Sequence, residues 1–162
     1  MRTAEKVWSG IGVALVGLVG IGAMSPTSSA TTVSLSSSST EAPARSTVTV
    51  TDVLDGDTVR AGDQVIHVLG IDSCDPSTPG GAEAKQMAES LLGGREITLR
   101  AEPGIDRDAS GRLLRHVDLA FGYDYGHFMV TYAHTGADAS NGGNRGYVAS
   151  LREDDRNGRS CG

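Results

Sequence analysis

The stretch Val53–Asp75, V-L-D-G-D-T-V-R-A-G-D-Q-V-I-H-V-L-G-I-D-S-C-D, decides the fold of this chain. Asp55-Gly56-Asp57 is a turn signal with glycine at its centre, and Ala61-Gly62-Asp63 is a second one. Thr58–Arg60 and Gln64–Ile71 carry β-branched residues and alternate apolar with polar, so they read as strands. Gly70, inside the second of these runs, points to a bulge or a close backbone approach. The stretch therefore predicts strand, tight turn, strand and polar loop. It delivers four carboxylates, Asp55, Asp57, Asp72 and Asp75, towards one end of a small sheet.

The surroundings extend the same pattern. Ser46–Val53 alternates and is a strand, which makes the first three strands an antiparallel meander. In Ala82–Leu92 the apolar Ala84, Met87, Ala88, Leu91 and Leu92 fall on one helical face, and Gly93-Gly94 ends the helix. Arg95–Ala101 and Arg112–Ala120 are a fourth and fifth strand, separated by the polar loop Glu102–Gly111. His127–His134 fits a short helix better than a strand, Thr135–Arg145 is a loop, and Gly146–Asn157 is a final helix with Tyr147, Val148 and Leu151 on its buried face. The expected fold is α+β. Five short strands with about three helices suit a five-stranded barrel of the oligonucleotide-binding (OB) type, an architecture that takes nucleic acids or sugars on its outer face and loops.

The chain of 162 residues is not all globular. Arg2 and Lys6 precede an apolar, glycine-rich run, Val7–Met24, and Ser28-Ser29-Ala30 offers the small residues of a cleavage site. This is the layout of a secretory signal over residues 1–30, and the expected protein is extracellular. An uncleaved membrane anchor is the alternative. No cysteine follows the run, which argues against a lipid anchor. Residues 31–46 are rich in Ser and Thr and lack apolar periodicity, as expected of a disordered linker. Residues 47–162 remain, enough for one domain acting as a monomer. The net charge is −6 overall, and −7 once Arg2, Glu5 and Lys6 are removed. That argues against broad nucleic-acid binding by charge alone, but leaves room for a local or metal-bridged phosphate site. In an oxidising compartment Cys74 and Cys161 are expected to form a disulfide, free thiols being the alternative.

In order and spacing, V-L-D-G-D-T-V (Val53–Val59), V-L-G-I-D (Val68–Asp72) with a following acidic residue, G-A-E-A (Gly81–Ala84) and D-A-S-G-R-L-L (Asp108–Leu114) resemble the staphylococcal-nuclease-like (thermonuclease) family. D-G-D-T alone is a weak motif, whereas the ordered set is specific and spans about residues 48–161. The resemblance implies a secreted Ca2+-dependent nuclease that hydrolyses phosphodiester bonds of DNA or RNA. Asp57, Asp72 and the backbone carbonyl of Ser73 would hold the ion, Asp75 would activate or orient water, and Arg112 would clamp the phosphate. The chemistry is coherent: Ca2+ wants several hard oxygens, guanidinium groups grip phosphate in a fork, and a carboxylate can accept the proton of water. Acidic turn residues are also commonly mere turn formers, and Asp55 is read that way.

Departures from the family pattern weigh on the chemistry. His67 stands where the family has its other arginine. Imidazole lacks the planar fork, and losing one charged transition-state contact costs about 10²–10³ in rate. His67 either serves catalysis or merely ends a strand. Asp75 replaces a glutamate and is one methylene shorter, and a misplacement of about 1 Å can cost about 10²-fold. Cys74 replaces a proline, Ser110 stands where a base-stacking aromatic is expected, and no lysine-rich segment is present. Arg115, His116 and Arg107 are candidates to restore the missing charge, Arg115 as a second phosphate ligand. Arg60, Arg95 and Arg100 read as surface charges, the tyrosines as packing residues, and His127 and His134 as surface residues. The competing expectation is a catalytically impaired binding module for nucleic acid, glycan or protein.

Overall fold

The computed structural model describes residues 44–132 and 134–162. The expected signal segment and most of the linker lie outside the described residues. The linker's last residues, Arg45 and Ser46, already belong to a strand. In chain order the elements are β1 (Arg45–Thr49), β2 (Asp52–Val53), β3 (Thr58–Ala61), β4 (Gln64–Val68), β5 (Ile71–Ser73), α1 (Pro79–Leu92), β6 (Glu96–Arg100), β7 (Leu113–Asp118), α2 (Tyr125–Met129), β8 (Thr135–Ala137) and α3 (Arg145–Asp154). Among the described residues, no helix is long and apolar enough to cross a membrane.

The fold is α+β. Six strands form one mixed sheet in the order β1-β6-β7-β4-β3-β2, and β5 and β8 form a separate antiparallel pair. All ladders of the large sheet are antiparallel except β4–β7, which places His67 opposite Leu114. The sheet has six strands rather than the expected five, and its ladders do not close into a barrel. Its two outer strands, β1 and β2, are joined by only Val50 and Thr51. Val50 N donates to Arg95 O at 2.9 Å and Thr51 N to Arg60 O at 2.8 Å, so the chain crosses between the sheet edges within two residues.

Four expected elements differ in the structure. The single strand expected over Gln64–Ile71 is two strands, because Gly70 adopts φ +85°. Asn141 holds that break: it accepts from Gly70 N at 3.0 Å and donates to the carbonyls of Val68 and Ile71 at 3.1 Å each. Helix α1 starts three residues before Ala82, with Thr78 as N-cap and Pro79 in the first turn, where a missing N–H costs nothing. The helix expected over His127–His134 ends at Met129. Thr135–Ala137, expected as loop, is the strand that pairs with β5.

The core lies between the large sheet and α1, α2 and α3. Val59, Ile66, Val68, Ile97, Leu99 and Val117 come from the sheet; Ala84, Ala88 and Leu92 from α1; Tyr125 and Met129 from α2; and Leu151 from α3. The predicted apolar stripe of α1 is the buried one, with Met87 and Leu91 packed at its border. Arg100, expected at the surface, is instead drawn between Asp118 (2.8 Å) and Asp124 (2.7 Å).

Candidate functional site

The turn Asp55-Gly56-Asp57 is held from three directions. Asp57 N donates to Asp55 Oδ1 at 2.9 Å, closing the turn locally. The fully buried Tyr125 of α2 donates its hydroxyl to Gly56 O at 2.7 Å. Asp57 O accepts from Val68 N at 2.8 Å, which locks the turn to the end of β4. The Asp57 carboxylate is thereby turned inward, only 5% exposed.

That carboxylate is well supplied with donors. Oδ1 accepts from Thr58 Oγ1 at 2.8 Å and lies 3.1 Å from His67 Nδ1, while Oδ2 accepts from Ser73 N at 2.6 Å. Thr58 and His67 are cross-strand partners on β3 and β4, which explains why both reach the same oxygen. Burial pushes the Asp57 carboxyl up, but the hydrogen bond and charge of the neighbouring imidazole and the Ser73 amide outweigh it, and the net direction is down. Asp55 goes the other way. Burial first, then the adjacent Asp57 charge, raise it to about 6.

A cleft of about 830 Å³ opens over this turn. Asp57, Asp72, Ser73, Asp75, His67 and Arg112, all anticipated from the sequence, line it together. They arrive from the β2–β3 turn, β4, β5, the loop before α1, and the approach to β7. Arg115 is not brought to the cleft. Its guanidinium goes to Asp106 Oδ1 at 2.6 Å and to the Leu114 carbonyl at 2.7 Å. Arg107 is also drawn elsewhere, to Gly111 O and Gln64 Oε1. His116 is buried against Glu102 at 2.7 Å and so supplies no charge to the cleft either.

The anticipated residues have partners within the protein. Asp75 Oδ1 accepts from Ser77 N at 2.8 Å and from Ser77 Oγ at 2.5 Å, and these hydrogen bonds lower its pKa, the side-chain one most. Arg112 donates from Nε to Asp108 Oδ2 at 2.6 Å and from its backbone N to Asp108 Oδ1 at 2.9 Å, leaving its terminal nitrogens for other work. Asp72 pairs with Arg159. His67 is 8% exposed and engaged with Asp57, so it is not a free cation standing in for an arginine.

Sequence reasoning missed Arg159, Asp138 and Asn141, and took Asp55 as a turn former only; all four line the cleft. Asp55 is both turn former and lining residue. For Arg159 a signal existed: Cys161 lies two residues on, and its bond to Cys74 brings the C-terminal segment to the cleft wall, with Cα atoms 5.4 Å apart. Asn141 and Asp138 sit in a loop whose placement depends on the β5–β8 pair, which no local pattern announces.

The donor set fits a hard divalent cation in part. Asp57 and Asp72 both line the cleft, Asp72 half exposed and Asp57 with its carboxylate largely buried among its own donors. Among the described residues, no group of three or more His, Cys, Asp or Glu converges as a complete protein-only metal site. Water and phosphate oxygens would have to complete the shell. No family model matches the chain, and no curated protein matches it.

Proposed function

We propose that this protein is a secreted, Ca2+-dependent phosphodiesterase acting on DNA or RNA, of the staphylococcal-nuclease-like type. The observation that carries the proposal is the convergence of Asp57, Asp72, Asp75 and Arg112, from three separated segments of the chain, on one cleft. The fold lends support. If β1 and β2 are counted as one bent strand shared by both sheet edges, five strands remain, with β4–β7 as the parallel pair, as an OB-type barrel requires.

Asp57 and Asp72 would hold the ion, whose contribution is to polarise the phosphoryl oxygen. Arg112, positioned by Asp108, would direct its terminal nitrogens to the phosphate and stabilise charge as it builds. Asp75 would orient the attacking water. Its lowered pKa makes it a better orienting acceptor than proton acceptor, so slow turnover is expected. Export is supported by the disulfide between Cys74 and Cys161, since such bonds persist in oxidising compartments.

A second proposal, a binding module that kept the fold and lost the chemistry, is favoured by one specific observation. Each charged group in the catalytic set already has a protein partner: Asp57 with His67, Asp72 with Arg159, Asp75 with Ser77, and Arg112 with Asp108.

Cleavage of fluorescent single-stranded DNA, with Ca2+ and with chelator, tests the two. Asp72→Asn is the control, because Asp72 is half exposed and its loss leaves the core intact. Cleavage that needs both Ca2+ and Asp72 is expected. Absence of metal-dependent cleavage of DNA and RNA by folded protein would leave only the binding module.

A further inference from the structure

The C-terminal segment after α3 is seated rather than loose. Beyond the Cys74–Cys161 bond, Gly80 N donates to Cys161 O at 3.2 Å and His134 Nδ1 lies 2.8 Å from Ser160 O. At its other end, Asp155 accepts from Ala137 N at 2.9 Å and from Gly158 N at 2.9 Å. The surface beneath is shaped for it. A methyl group on Gly80 would come within 2.6 Å of Ser160 O and 3.1 Å of Cys161 Cα, and one on Gly136 within 3.4 Å of Arg159 Cβ. Gly136 is the β8 residue directly opposite Asp72 on β5. The tail therefore crosses the β5–β8 pair at the register position that puts the Arg159 guanidinium on Asp72.

The charge balance of the cleft gives that placement a purpose. Among the described residues, Asp55, Asp57, Asp72, Asp75, Asp108 and Asp138 face it, against two guanidiniums, Arg112 and Arg159. Arg112 is already shared with Asp108, and the imidazole at His67 is committed to Asp57. A phosphodiester entering this cleft meets Arg112 from the loop before β7 and Arg159 from the C-terminal tail. The Asp72–Arg159 pair is 47% and 42% exposed, so it is weakly bound and exchangeable.

We propose that Arg159 is a phosphate ligand held in reserve: it occupies Asp72 in the free protein and, when a divalent cation takes Asp72, turns its guanidinium to a phosphate oxygen of the bound strand. This rests on the phosphodiesterase reading and fills the cationic role that His67 leaves open. The disulfide is what keeps the guanidinium within reach, because it anchors the chain two residues away.

The test uses purified protein with its disulfide intact and two binding measurements that do not depend on turnover. Calcium affinity is read by isothermal titration. Affinity for a fluorescein-labelled phosphorothioate tetradeoxynucleotide is read by anisotropy at saturating Ca2+. Arg159→Gln is expected to bind Ca2+ about two- to fivefold more tightly, because a competitor of exposed-pair strength is gone. It is expected to bind the oligonucleotide about tenfold more weakly, because a charge-assisted phosphate contact is lost. Arg159→Lys should retain most of the oligonucleotide affinity, and Arg152→Gln, on the exposed side of α3, should change neither value. Cys161→Ser should reproduce both effects of Arg159→Gln; if it does not fold, the Arg159 variants decide alone. Unchanged Ca2+ affinity or unchanged oligonucleotide affinity in Arg159→Gln overturns the proposal while leaving the phosphodiesterase standing. Wild-type protein that binds neither probe overturns both.

Discussion

Removing the Cys74–Cys161 bond offers the sharpest test of how this chain is held together. The two cysteines are 87 residues apart, so the bond closes a loop over most of the folded body. Chain-entropy reasoning, with a loop of that length, gives a loss of about 15 cal/mol/K from the unfolded ensemble, or about 4.6 kcal/mol at 25 °C. For roughly 120 ordered residues the unfolding entropy is about 0.25 kcal/mol/K, so Cys74→Ala/Cys161→Ala should lower Tm by about 18 °C. Circular dichroism melts at pH 7 measure this, with free-thiol titration of the wild type confirming that the bond is formed. Reduction of the wild type should give a comparable drop. A fall of less than about 5 °C, in a variant with an unchanged folded spectrum, would refute the reasoning, since it would mean that the unfolded chain gains no freedom when the loop opens.

Four further outcomes follow from the turn, its carboxylates and the break at Gly70. Asp57→Ala strands three buried donors, on Thr58, His67 and Ser73, and should cost about 3 kcal/mol or more by urea denaturation, whatever it does to activity. The native Asp57 carboxyl lies below its ordinary value, so its stabilisation is present above about pH 3.8 and fades as pH falls through its lower native value; Asp57→Asn should remove that acid limb. Asp55 has the opposite sign. Its native value of about 6 exceeds 3.8, so the folded state binds the extra proton between these values and loses stability as pH rises across them. Asp55→Asn should therefore gain about 1 kcal/mol at pH 7, after allowance for solvent screening, and flatten the profile between pH 4 and 6. Gly70→Ala should lose about 2 kcal/mol or more, because the residue would sit at φ +85° with its methyl 2.7 Å from the Tyr147 ring. A urea midpoint within experimental error of wild type would contradict it.

Much of the candidate site could be read along the chain because its parts are local devices. Asp57 follows from a turn whose glycine and flanking carboxylates are adjacent, and Arg112 from the loop that Asp108 closes four residues earlier. Arg115 misled because alternation along β7 says only which side of the strand a residue takes. Its diversion to Asp106 depends on where the preceding loop folds back. His67 was ambiguous for a related reason: its type says it can bond a carboxylate, but only the β3–β4 register supplies Asp57 and Thr58 as neighbours. Arg159 lay outside any motif: the Cys161–Cys74 bond brings its tail to the end of β5, but only the tertiary structure sets its guanidinium on Asp72.

By itself the sequence determined the elements with strong short-range signals: the β3–β4 hairpin with its glycine turns, the apolar stripe of α1, the cysteine count and the acidic run around Asp55 and Asp57. These depend on backbone preferences and side-chain periodicity within a few residues, which no distant partner has to complete. Tertiary structure alone decided that β4 and β7 run parallel, that a three-residue strand at Thr135–Ala137 pairs with β5, and that the C-terminal tail lies across that pair with Arg159 on Asp72. Each of these joins segments tens of residues apart. Their free energy comes from hydrogen bonds, a covalent bridge and charge contacts that exist only once the chain has closed on itself.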